Sequence, residues 1–317
     1  GEYANMTIEM IGHSPEITHI QRVLPMIALS DASVLICGAT GTGKELVAQR
    51  LHQLSRRADK PMVTINCAAL PEQDAEVDLF GRANADGEVI EPGRLLAAQG
   101  SSVFLDEVDA LPLTVQAKVL RFLEAGECQL AGSHKLHLID ARILAATSMD
   151  LPAEVKAGRF RADLYYRLQV VPLELPPLNQ RSEDIPLLLT YFAKQFAGNN
   201  APLRFSKEVI QQLQRYDWPG NVRELSNFCQ RISLLQPGSM LQLTDLPPEI
   251  LQNSAVTPQQ FSIPPTGIDL AQIELDLIEQ ALEMAAGNRS KAARLLGITR
   301  DTLLYRMQKY GLSDDAK

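Results

Sequence analysis

The sequence predicts an α/β domain with a mostly parallel sheet covered by helices, then an α-helical subdomain, then an all-α helix-turn-helix domain. Short β-rich runs alternate with helical stretches over residues 11–175, and this alternation is typical of parallel sheets. From about residue 182, helical stretches follow one another between prolines and glycines. The β-rich runs cover residues 33–37, 62–65, 102–105, 141–145 and 170–173.

Domain boundaries follow from these changes of pattern. We expect the α/β subdomain over residues 1–180 and the helical subdomain over residues 181–250. Residues 251–267 are polar, aperiodic and contain prolines, which indicates a linker. The helix-turn-helix domain is then expected over residues 268–317.

The composition is that of a globular protein. Of the 317 residues, 45% are hydrophobic and 21% are charged, which is enough apolar mass for a sizeable core. No stretch approaches the roughly 18 apolar residues of a membrane span, and the four cysteines match no zinc spacing. We therefore expect a cytoplasmic protein without a membrane-spanning segment. The net charge of −8 means that DNA binding would need a local basic segment.

Residues 38–45 match the GxxxxGK pattern of a phosphate-binding P-loop, between an apolar run and a helical stretch. Glycines let backbone N–H groups turn toward phosphates, and the N-terminus of the following helix adds positive potential. Lys44 would reach the β- and γ-phosphates. Glu45 stands where a Mg²⁺-binding hydroxyl is usual, so Thr42 or a water would replace that hydroxyl. The predicted nucleotide-binding residues here are Gly38, Ala39, Thr40, Gly41, Thr42, Gly43, Lys44 and Glu45.

An apolar run that ends in Asp106 and Glu107 predicts the other half of the same site. Asp106 would be the metal ligand, organising Mg²⁺ through water, and Glu107 would polarise the attacking water. Taken singly, the two motifs have ordinary alternatives, a glycine turn without a ligand and a strand end capped by acids. Together they predict nucleotide hydrolysis, with ATP and Mg²⁺ as the cofactors.

Further motifs accompany these two, in a fixed order over residues 11–250. They are GATGTGKE at 38–45, INCAAL at 65–70, DLFG at 78–81, VFLDEVDALPLTVQAKVLRFLE at 103–124, GRFRADLYYRL at 158–168, LPPL at 175–178 and WPGNVREL at 218–225. With these motifs the chain resembles the central AAA+ domain of NtrC-like bacterial enhancer-binding proteins. That family consists of activators that remodel sigma-54 RNA polymerase.

The resemblance implies roles for residues at matching positions within one subunit. Asn66 would hold Glu107 until the site is ready for hydrolysis. Thr147 would be the sensor I residue, and it is followed by Ser148 where the family usually has Asn. Arg223 would be the sensor II arginine on a helical lid over the nucleotide.

Two further arginines imply an oligomer. Arg161 and Arg167 match the arginine fingers of the family, which reach the γ-phosphate of a neighbouring subunit and stabilise the charge of the transition state. Fingers that act in trans require a ring, and the family forms rings of six or seven subunits. The alternative is that both arginines form surface ion pairs.

One interval departs from the family. Sigma-54 activators carry GAFTGA in a loop between LFG and PGR, and nucleotide-driven motion of that loop contacts sigma-54. Here residues 82–91 read RANADGEVIE, which is shorter and has neither the aromatic nor the Thr. We therefore expect a protein that does not activate sigma-54 promoters and that acts on sigma-70-type polymerase or as a repressor.

The C-terminal segment combines a helix-turn-helix pattern with a local excess of positive charge. An amphipathic stretch at 273–282 precedes a short helix at 290–296, a turn at Gly297 and a second helix capped by Thr299. These features predict binding of double-stranded DNA, with a three-helix protein–protein module as the alternative. The basic residues of 288–310 are Arg289, Lys291, Arg294, Arg300, Arg306 and Lys309, against the single acid Asp301.

The same segment resembles the Fis-type domain that ends most NtrC-like proteins. This resemblance implies dimerisation through the first helix and therefore a palindromic DNA site. Arg300, Thr302 and Arg306 are candidates for contacts in the groove. Arg289 and Lys291 are candidates for contacts to phosphates, which position a protein without specifying sequence.

Three functions remain open from the sequence. The first is a DNA-binding transcription regulator with an ATPase ring, working with RNA polymerase. The second is an ATP-driven remodeller of sigma-54 polymerase that uses DNA as a tether, and the missing GAFTGA argues against it. The third is a regulator with little turnover that binds cyclic di-GMP through Arg56 and Arg57, although a solvated helix end explains these two arginines more simply.

Overall fold

The computed structural model describes residues 10–252 and 263–312, and these form two compact units that divide between residues 255 and 256. Each unit is described by itself below. None of the helices in the described residues is both long enough and apolar enough to cross a membrane. Most of the predicted linker, residues 251–267, lies outside the described residues, and its first two residues belong to a helix.

The strands of the first unit are short, and they build one central sheet and several small ones. Five of them form the central sheet, in the order β2 (Val63–Asn66), β5 (Ser102–Asp106), β8 (Arg142–Thr147), β1 (Val34–Cys37) and β9 (Val171–Glu174), and every pairing in it is parallel. This agrees with the predicted fold class. The strands are β1 (Val34–Cys37), β2 (Val63–Asn66), β3 (Arg82–Ala83), β4 (Val89–Glu91), β5 (Ser102–Asp106), β6 (Glu127–Gln129), β7 (Leu136–Leu138), β8 (Arg142–Thr147), β9 (Val171–Glu174), β10 (Arg204–Phe205) and β11 (Met240–Leu241).

Helices cover both faces of this sheet and then continue as a separate layer. The helices of the first unit are α1 (Pro15–Ala28), α2 (Lys44–Leu54), α3 (Ala75–Phe80), α4 (Gly93–Leu96), α5 (Leu113–Ala125), α6 (Leu151–Lys156), α7 (Ala162–Leu168), α8 (Ile185–Gln195), α9 (Lys207–Arg215), α10 (Asn221–Leu235) and α11 (Pro248–Gln252). Short 3-10 turns connect several of them.

Alternating side chains of the central strands enter two different cores, as the period of two residues in a strand requires. Phe104 packs with α1 and α2 on one face of the sheet. Its neighbours Val103 and Leu105 pack with α5 and α7 on the other face. Both faces are therefore dry, and the polar residues that end the strands come together at the carboxyl edge of the sheet.

The helices α8 to α11 form a lid with its own core. Trp218 is 1% exposed, donates from Nε1 to the carbonyl of Leu213 at 2.7 Å, and meets the ring of Tyr216 edge-on at 4.8 Å. Truncating an aromatic side chain in such a core costs about 3–5 kcal/mol. The WPGN turn before α10 is thus held rigidly by the lid.

Two small antiparallel hairpins lie side by side on the first unit, and the sequence analysis predicted neither. β3 pairs with β4, and β6 pairs with β7. The Ala83 amide donates to the carbonyl of Ala131, and the Ala131 amide donates to the carbonyl of Gly81, which joins the two hairpins. Residues 82–91, where the sequence departs from the family, therefore form a β-hairpin.

The second unit consists of α12 (Leu270–Met284), α13 (Arg289–Leu295) and α14 (Arg300–Lys309). Asn288 caps α13 and Thr299 caps α14, each accepting the amide of the third residue beyond it. Gly297, with φ of +68°, makes the turn between them. A small core holds the three helices together, and it includes Ile278, Ala281, Ala292, Ala293, Leu303 and Met307.

Candidate functional site

The P-loop connects β1 to α2 at the carboxyl edge of the central sheet. Gly41 and Gly43 have φ of +84° and +103°, which side chains with a Cβ rarely adopt, so the two glycines are required for this turn. Gly43 is the residue before α2, and Lys44 is the first residue of that helix. The loop therefore wraps the N-terminus of a helix, which is the setting that binds phosphates.

A cavity of about 420 Å³ opens above this loop. Its wall comes from the P-loop, the end of β5, the end of β8 and the lid. Most of the predicted binding residues are thus brought together by the fold. Its lining includes Thr40, Gly41, Gly43, Lys44, Glu45, Asp106, Glu107, Ser148 and Arg223.

Lys44 interacts electrostatically with Asp106, Glu107 and Arg223. Its Nζ donates to the carbonyls of Gly38 at 2.7 Å and Ala39 at 3.0 Å. Burial lowers the pKa of the Lys44 ammonium, the carboxylate of Asp106 opposes this shift, and Arg223 adds to it. A partly desolvated cation beside a second cation would be stabilised by a bound anion.

The carboxylates of Asp106 and Glu107 enter the cavity from the end of β5. Glu107 has φ of +51°, a strained conformation for a residue with a side chain, and strain of this kind is common at functional sites. The Asp106 carboxylate accepts the Glu107 amide at 3.0 Å. The two acids therefore face Lys44 across one cavity.

The donor set fits Mg²⁺ that is bound together with a phosphate. Mg²⁺ retains water and takes one or two carboxylates plus phosphate oxygens, and Asp106 supplies such a carboxylate. Over residues 10–252 and 263–312, no group of three or more His, Cys, Asp and Glu could hold a metal by itself. The Thr42 hydroxyl donates to the carbonyl of Ala39 at 2.8 Å, so it is turned into the loop.

Two residues from the family pattern make other contacts here. The Asn66 side chain accepts the Ala68 amide and caps a short turn, rather than holding Glu107. Thr147 is fully buried, and its hydroxyl donates to Asp109 at 2.7 Å. Ser148, one residue further, is exposed and lines the cavity. The difference arises where β8 ends, because Thr147 is the last residue of the strand and Ser148 is the first residue beyond it.

The predicted arginine fingers lie on the surface around α7. The Arg161 guanidinium pairs with Asp163 at 2.9 Å, and Arg167 donates to the carbonyl of Leu123 at 3.4 Å. Both side chains are exposed, and within the described residues neither lines the cavity of their own chain. This position leaves them accessible to a second subunit.

An apolar pocket of about 250 Å³, which was not predicted from the sequence, adjoins the cavity. It lies between the residues that precede α1, the P-loop and the lid. Its residues come from three distant segments, so only the proximity of Met10 and Ile11 to the P-loop in the fold reveals it. The lining includes Met10, Ile11, Leu46, Leu188, Tyr191 and Phe192.

Arg57 and Arg56 differ in what they contact at the end of α2. The Arg57 guanidinium contacts the carboxylates of Asp140 at 2.8 Å and Asp31 at 3.3 Å, and it is 12% exposed. Its guanidinium is therefore already occupied. Arg56 is exposed.

In the second unit, two of the predicted DNA contacts are engaged within the domain. Arg306 forms an ion pair with Glu274 of α12 at 2.9 Å, and the Thr302 hydroxyl bonds to the hydroxyl of Thr299 at 2.8 Å. Arg300 and Lys291 are exposed, and Arg289 is partly exposed. Tyr305, which the sequence pattern did not single out, is 71% exposed on α14.

The interval at 82–91 is closed by its own polar groups. The side-chain oxygen of Asn84 accepts the amides of Asp86 at 3.1 Å and Glu88 at 2.9 Å. Arg82 pairs with Glu91 across β3 and β4. The apolar side chains of Val89 and Ile90 are left exposed, at 45% and 56%.

Comparison with known proteins agrees with this geometry. The family description "Sigma-54 interaction domain" matches residues 10–174. An AAA+ ATPase lid domain matches residues 179–262, and the Fis family of bacterial regulatory proteins matches residues 269–310.

Full-length relatives share this arrangement. The transcriptional regulatory protein ZraR of Salmonella typhimurium is 44% identical over 305 residues, covering 95% of this chain and 68% of ZraR. The regulatory protein AtoC of Escherichia coli is 40% identical over 313 residues, covering 96% of this chain and 68% of AtoC. A crystal structure of NtrX from Brucella abortus in complex with ATP has a TM-score of 0.71 and 31% identity, covering 96% of this chain and 70% of NtrX.

The resemblance indicated by the motifs is thereby confirmed. With a sigma-54 interaction domain, an AAA+ lid and a Fis-type helix-turn-helix in one chain, the protein belongs to the NtrC-like family of bacterial DNA-binding transcription regulators.

Proposed function

We propose that this regulator binds and hydrolyses ATP in the cavity between its P-loop and its lid. The observation that carries the proposal is that Lys44, Asp106, Glu107 and Arg223 line one cavity. NtrX, at 31% identity, was crystallised with ATP. The adjoining pocket, lined by Met10, Ile11 and Tyr191, is apolar and accommodates the adenine base of ATP.

Each of these residues has a distinct part in hydrolysis. The P-loop amides and Lys44 hold the phosphates, and Asp106 holds Mg²⁺. The metal ion, when bound, neutralises the charge that develops on the phosphate oxygens. Glu107 polarises a water whose oxygen bonds to the γ-phosphorus as the bond to the bridging oxygen breaks, which releases ADP and phosphate.

The hydrolysis is completed by a second subunit, and the exposure of Arg161 and Arg167 on the surface supports this arrangement. Arginine fingers act from the neighbour in a hexameric ring, which the chain reaches through a dimer. The ATPase rate per subunit should therefore rise with protein concentration until the ring is saturated. A rate per subunit that stays constant with dilution would remove the trans-acting fingers from the proposal.

DNA binding positions this ATPase. We infer that α14 enters the major groove and that α12 pairs with its copy in a dimer, so the site is palindromic. Arg300 and Tyr305 read the groove, whereas Arg289 and Lys291 contact phosphates. Because Arg306 is paired with Glu274, its contribution is the smallest of the predicted set.

Affinity for the operator, measured by gel shift, tests this assignment. Arg300→Ala should weaken binding by roughly 1–3 kcal/mol and relax sequence preference. Lys291→Ala should weaken binding to all DNA sequences alike. It should also reduce the slope of log affinity against log salt concentration by about one. If Arg306→Ala exceeded Arg300→Ala, the order proposed here would be wrong.

We further propose that the protein does not open sigma-54 promoters. The interval at 82–91 lacks GAFTGA and is instead a hairpin closed by Asn84 and the pair of Arg82 with Glu91. RNA polymerase carrying a sigma-70-type factor is then the partner, and the protein acts as an activator or a repressor there. In vitro transcription decides between the polymerases, since ATP-dependent open complexes with sigma-54 holoenzyme would refute the proposal.

Binding of cyclic di-GMP is the weaker second candidate. The Arg57 guanidinium is engaged by Asp31 and Asp140, so only Arg56 of the two arginines offers a free charge at that end of α2. We expect labelled cyclic di-GMP to bind weakly or not at all at this position. Saturable binding that Arg56→Ala abolishes would reinstate it.

A further inference from the structure

The WPGN turn of the lid lies directly against the tip of the P-loop. The Arg223 amide donates to the carbonyl of Gly41 at 3.1 Å. A Cβ built on Gly41 would lie 2.2 Å from the carbonyl oxygen of Gly220, so only glycine allows this approach. The lid and the phosphate-binding loop therefore touch through their backbones.

Asn221 is the side chain that joins them. It is 3% exposed, and its Oδ1 accepts the amide of Leu178 at 2.8 Å. Its Nδ2 donates to the carbonyl of Thr40 at 3.0 Å and, more weakly, to that of Pro219 at 3.5 Å. The orientation of the amide is fixed by its partners, because a backbone N–H must donate and a carbonyl must accept.

The bond to Thr40 has a consequence inside the P-loop. In a trans peptide the carbonyl of Thr40 and the N–H of Gly41 point in opposite directions. Because the Thr40 carbonyl points toward the lid, the N–H of Gly41 points away from the lid. Gly41 also lines the nucleotide cavity.

We propose that Asn221 is a positioning residue that orients the Gly41 N–H for phosphate binding. Its bond to the Leu178 amide links this orientation of the P-loop to the segment between β9 and the lid. Leu178 is the first residue of a 3-10 turn, Leu178–Gln180, in the segment that connects β9 to the lid. One buried amide thus links the phosphate loop, the connector and the lid helix α10. This inference rests on the proposed binding of ATP.

A simpler explanation of Asn221 is its backbone. Its φ of +54° lies in the left-handed region, where Asn is tolerated better than most residues. If that were its only role, glycine would replace it without loss. If the side chain positions the P-loop, glycine would satisfy the backbone and still weaken nucleotide binding.

Two variants separate these explanations in titrations of the full chain with ATP and with ADP. Asn221→Gly keeps the backbone and removes every side-chain bond, without adding charge. Asn221→Asp keeps the acceptor for Leu178 and removes the donor to Thr40. For Asn221→Gly we expect dissociation constants about five- to tenfold higher for both nucleotides, the size of one hydrogen bond. The increase for Asn221→Asp should be at least as large, because its carboxylate also repels phosphates. The KM for ATP should rise by the same factor, with kcat within about twofold.

Tyr216→Phe is the matched control. It removes another hydrogen bond of the lid, from Tyr216 Oη to Glu224 at 2.8 Å, without touching the P-loop. Its nucleotide affinity should equal that of the unmodified chain, even where its unfolding temperature falls as far as that of the Asn221 variants.

The outcomes distinguish this inference from the proposed function. If the unmodified chain binds neither ATP nor ADP, the proposed function fails and this inference fails with it. If the unmodified chain binds and both Asn221 variants bind equally well, only the positioning role is overturned. Equal weakening by Tyr216→Phe would also overturn it, because the effect would then belong to the lid as a whole. Weaker binding supports the positioning role only in Asn221→Gly, because the added carboxylate of Asn221→Asp also repels phosphates. Unchanged binding by either variant overturns the role.

Discussion

The nucleotide cavity and the hairpin at 82–91 belong to the same unit, but their polar groups are arranged in opposite ways. Lys44, Asp106 and Glu107 are gathered around open space, and Glu107 is held in a strained conformation. In the hairpin, the Asn84 amide and the pair of Arg82 with Glu91 close the segment on itself.

This difference indicates which of the two regions binds a ligand. Backbone strain and poorly solvated charge cluster at ligand-binding sites, whereas the hairpin satisfies its polar groups with its own hydrogen bonds and ion pair. The cavity is therefore the part built to respond to a ligand. The hairpin is built to keep its shape, and this is why we propose that it does not act as the moving loop of a sigma-54 activator.

The largest effect is expected from removing the positive charge of Lys44 in the cavity. Lys44→Ala should lower the affinity for ATP and reduce ATP turnover at least about 100-fold, since the charge stabilises phosphates in a partly desolvated site. Glu107→Gln should reduce turnover comparably while ATP still binds. Titration and phosphate release measure the two effects.

Lys60→Ala is the control for Lys44→Ala. Lys60 lies outside the cavity and donates to the carbonyl of Gln99 at 3.2 Å. Its removal should leave turnover within about twofold. Turnover that survives Lys44→Ala would mean that the cavity is not the catalytic site.

The next test asks whether the cavity is complete in one chain. Arg161→Ala and Arg167→Ala should each lower turnover by roughly 100- to 1,000-fold without weakening binding of ATP, as expected for arginines that stabilise the transition state in trans. Mixing the Arg167→Ala chain with the Lys44→Ala chain should restore part of the activity. In mixed rings, an intact cavity then meets an intact arginine from its neighbour.

Two results would count against this arrangement. A mixture that is no more active than its parts would place the arginines in cis or outside catalysis. Loss of ring assembly in either arginine variant, seen by light scattering, would assign the effect to the interface instead.

The two regions also differ in how far the sequence predicts them. The P-loop and Asp106 were predicted because short apolar runs with fixed polar endings are local signals. β3 and β4 were not, because Arg82–Ala83 is too short to show alternation and its neighbour in space, Ala131, is distant in sequence.

Within the sites, the contacts that the sequence did not predict have the same physical origin. Thr147 and Ser148 are adjacent in sequence, and only the point at which β8 ends leaves Thr147 buried and Ser148 at the cavity. Arg306 was expected to face DNA, but its partner Glu274 lies on another helix. Contacts between distant segments thus decide which of several suitable side chains is available.

A smaller effect is expected in the hairpin itself. Asn84→Ala removes two hydrogen bonds to backbone amides and should lower the free energy of unfolding by about 1–2 kcal/mol. ATP turnover should remain within about twofold, because the hairpin closes on itself rather than on the cavity. Chemical denaturation and phosphate release measure the two quantities. A large loss of turnover at unchanged stability would show that the hairpin takes part in the ATPase cycle.

The last test extends the contrast to a buried carboxylate that is fully satisfied. Asp184 has no exposed side-chain surface and accepts from the amides of His13 and Ser14 and from the Ser14 hydroxyl, beside Arg181. Burial alone would raise the pKa of the Asp184 carboxyl. The bond from the Ser14 hydroxyl, the bond from the His13 amide and the charge of Arg181 outweigh burial and lower the pKa below its ordinary value.

A carboxyl whose pKa is lower in the folded state stabilises the fold above its unfolded pKa of about 3.9, and this contribution is lost as pH falls through the folded pKa. The free energy of unfolding should therefore decrease from pH 5 toward pH 3. Asp184→Asn should be less stable at neutral pH and should lose less over that range, because it has no carboxyl to protonate. Urea unfolding at a series of pH values measures both slopes. Parallel slopes would mean that Asp184 has the same pKa folded and unfolded, and the contrast between satisfied and open polar sites would then not extend to this carboxylate.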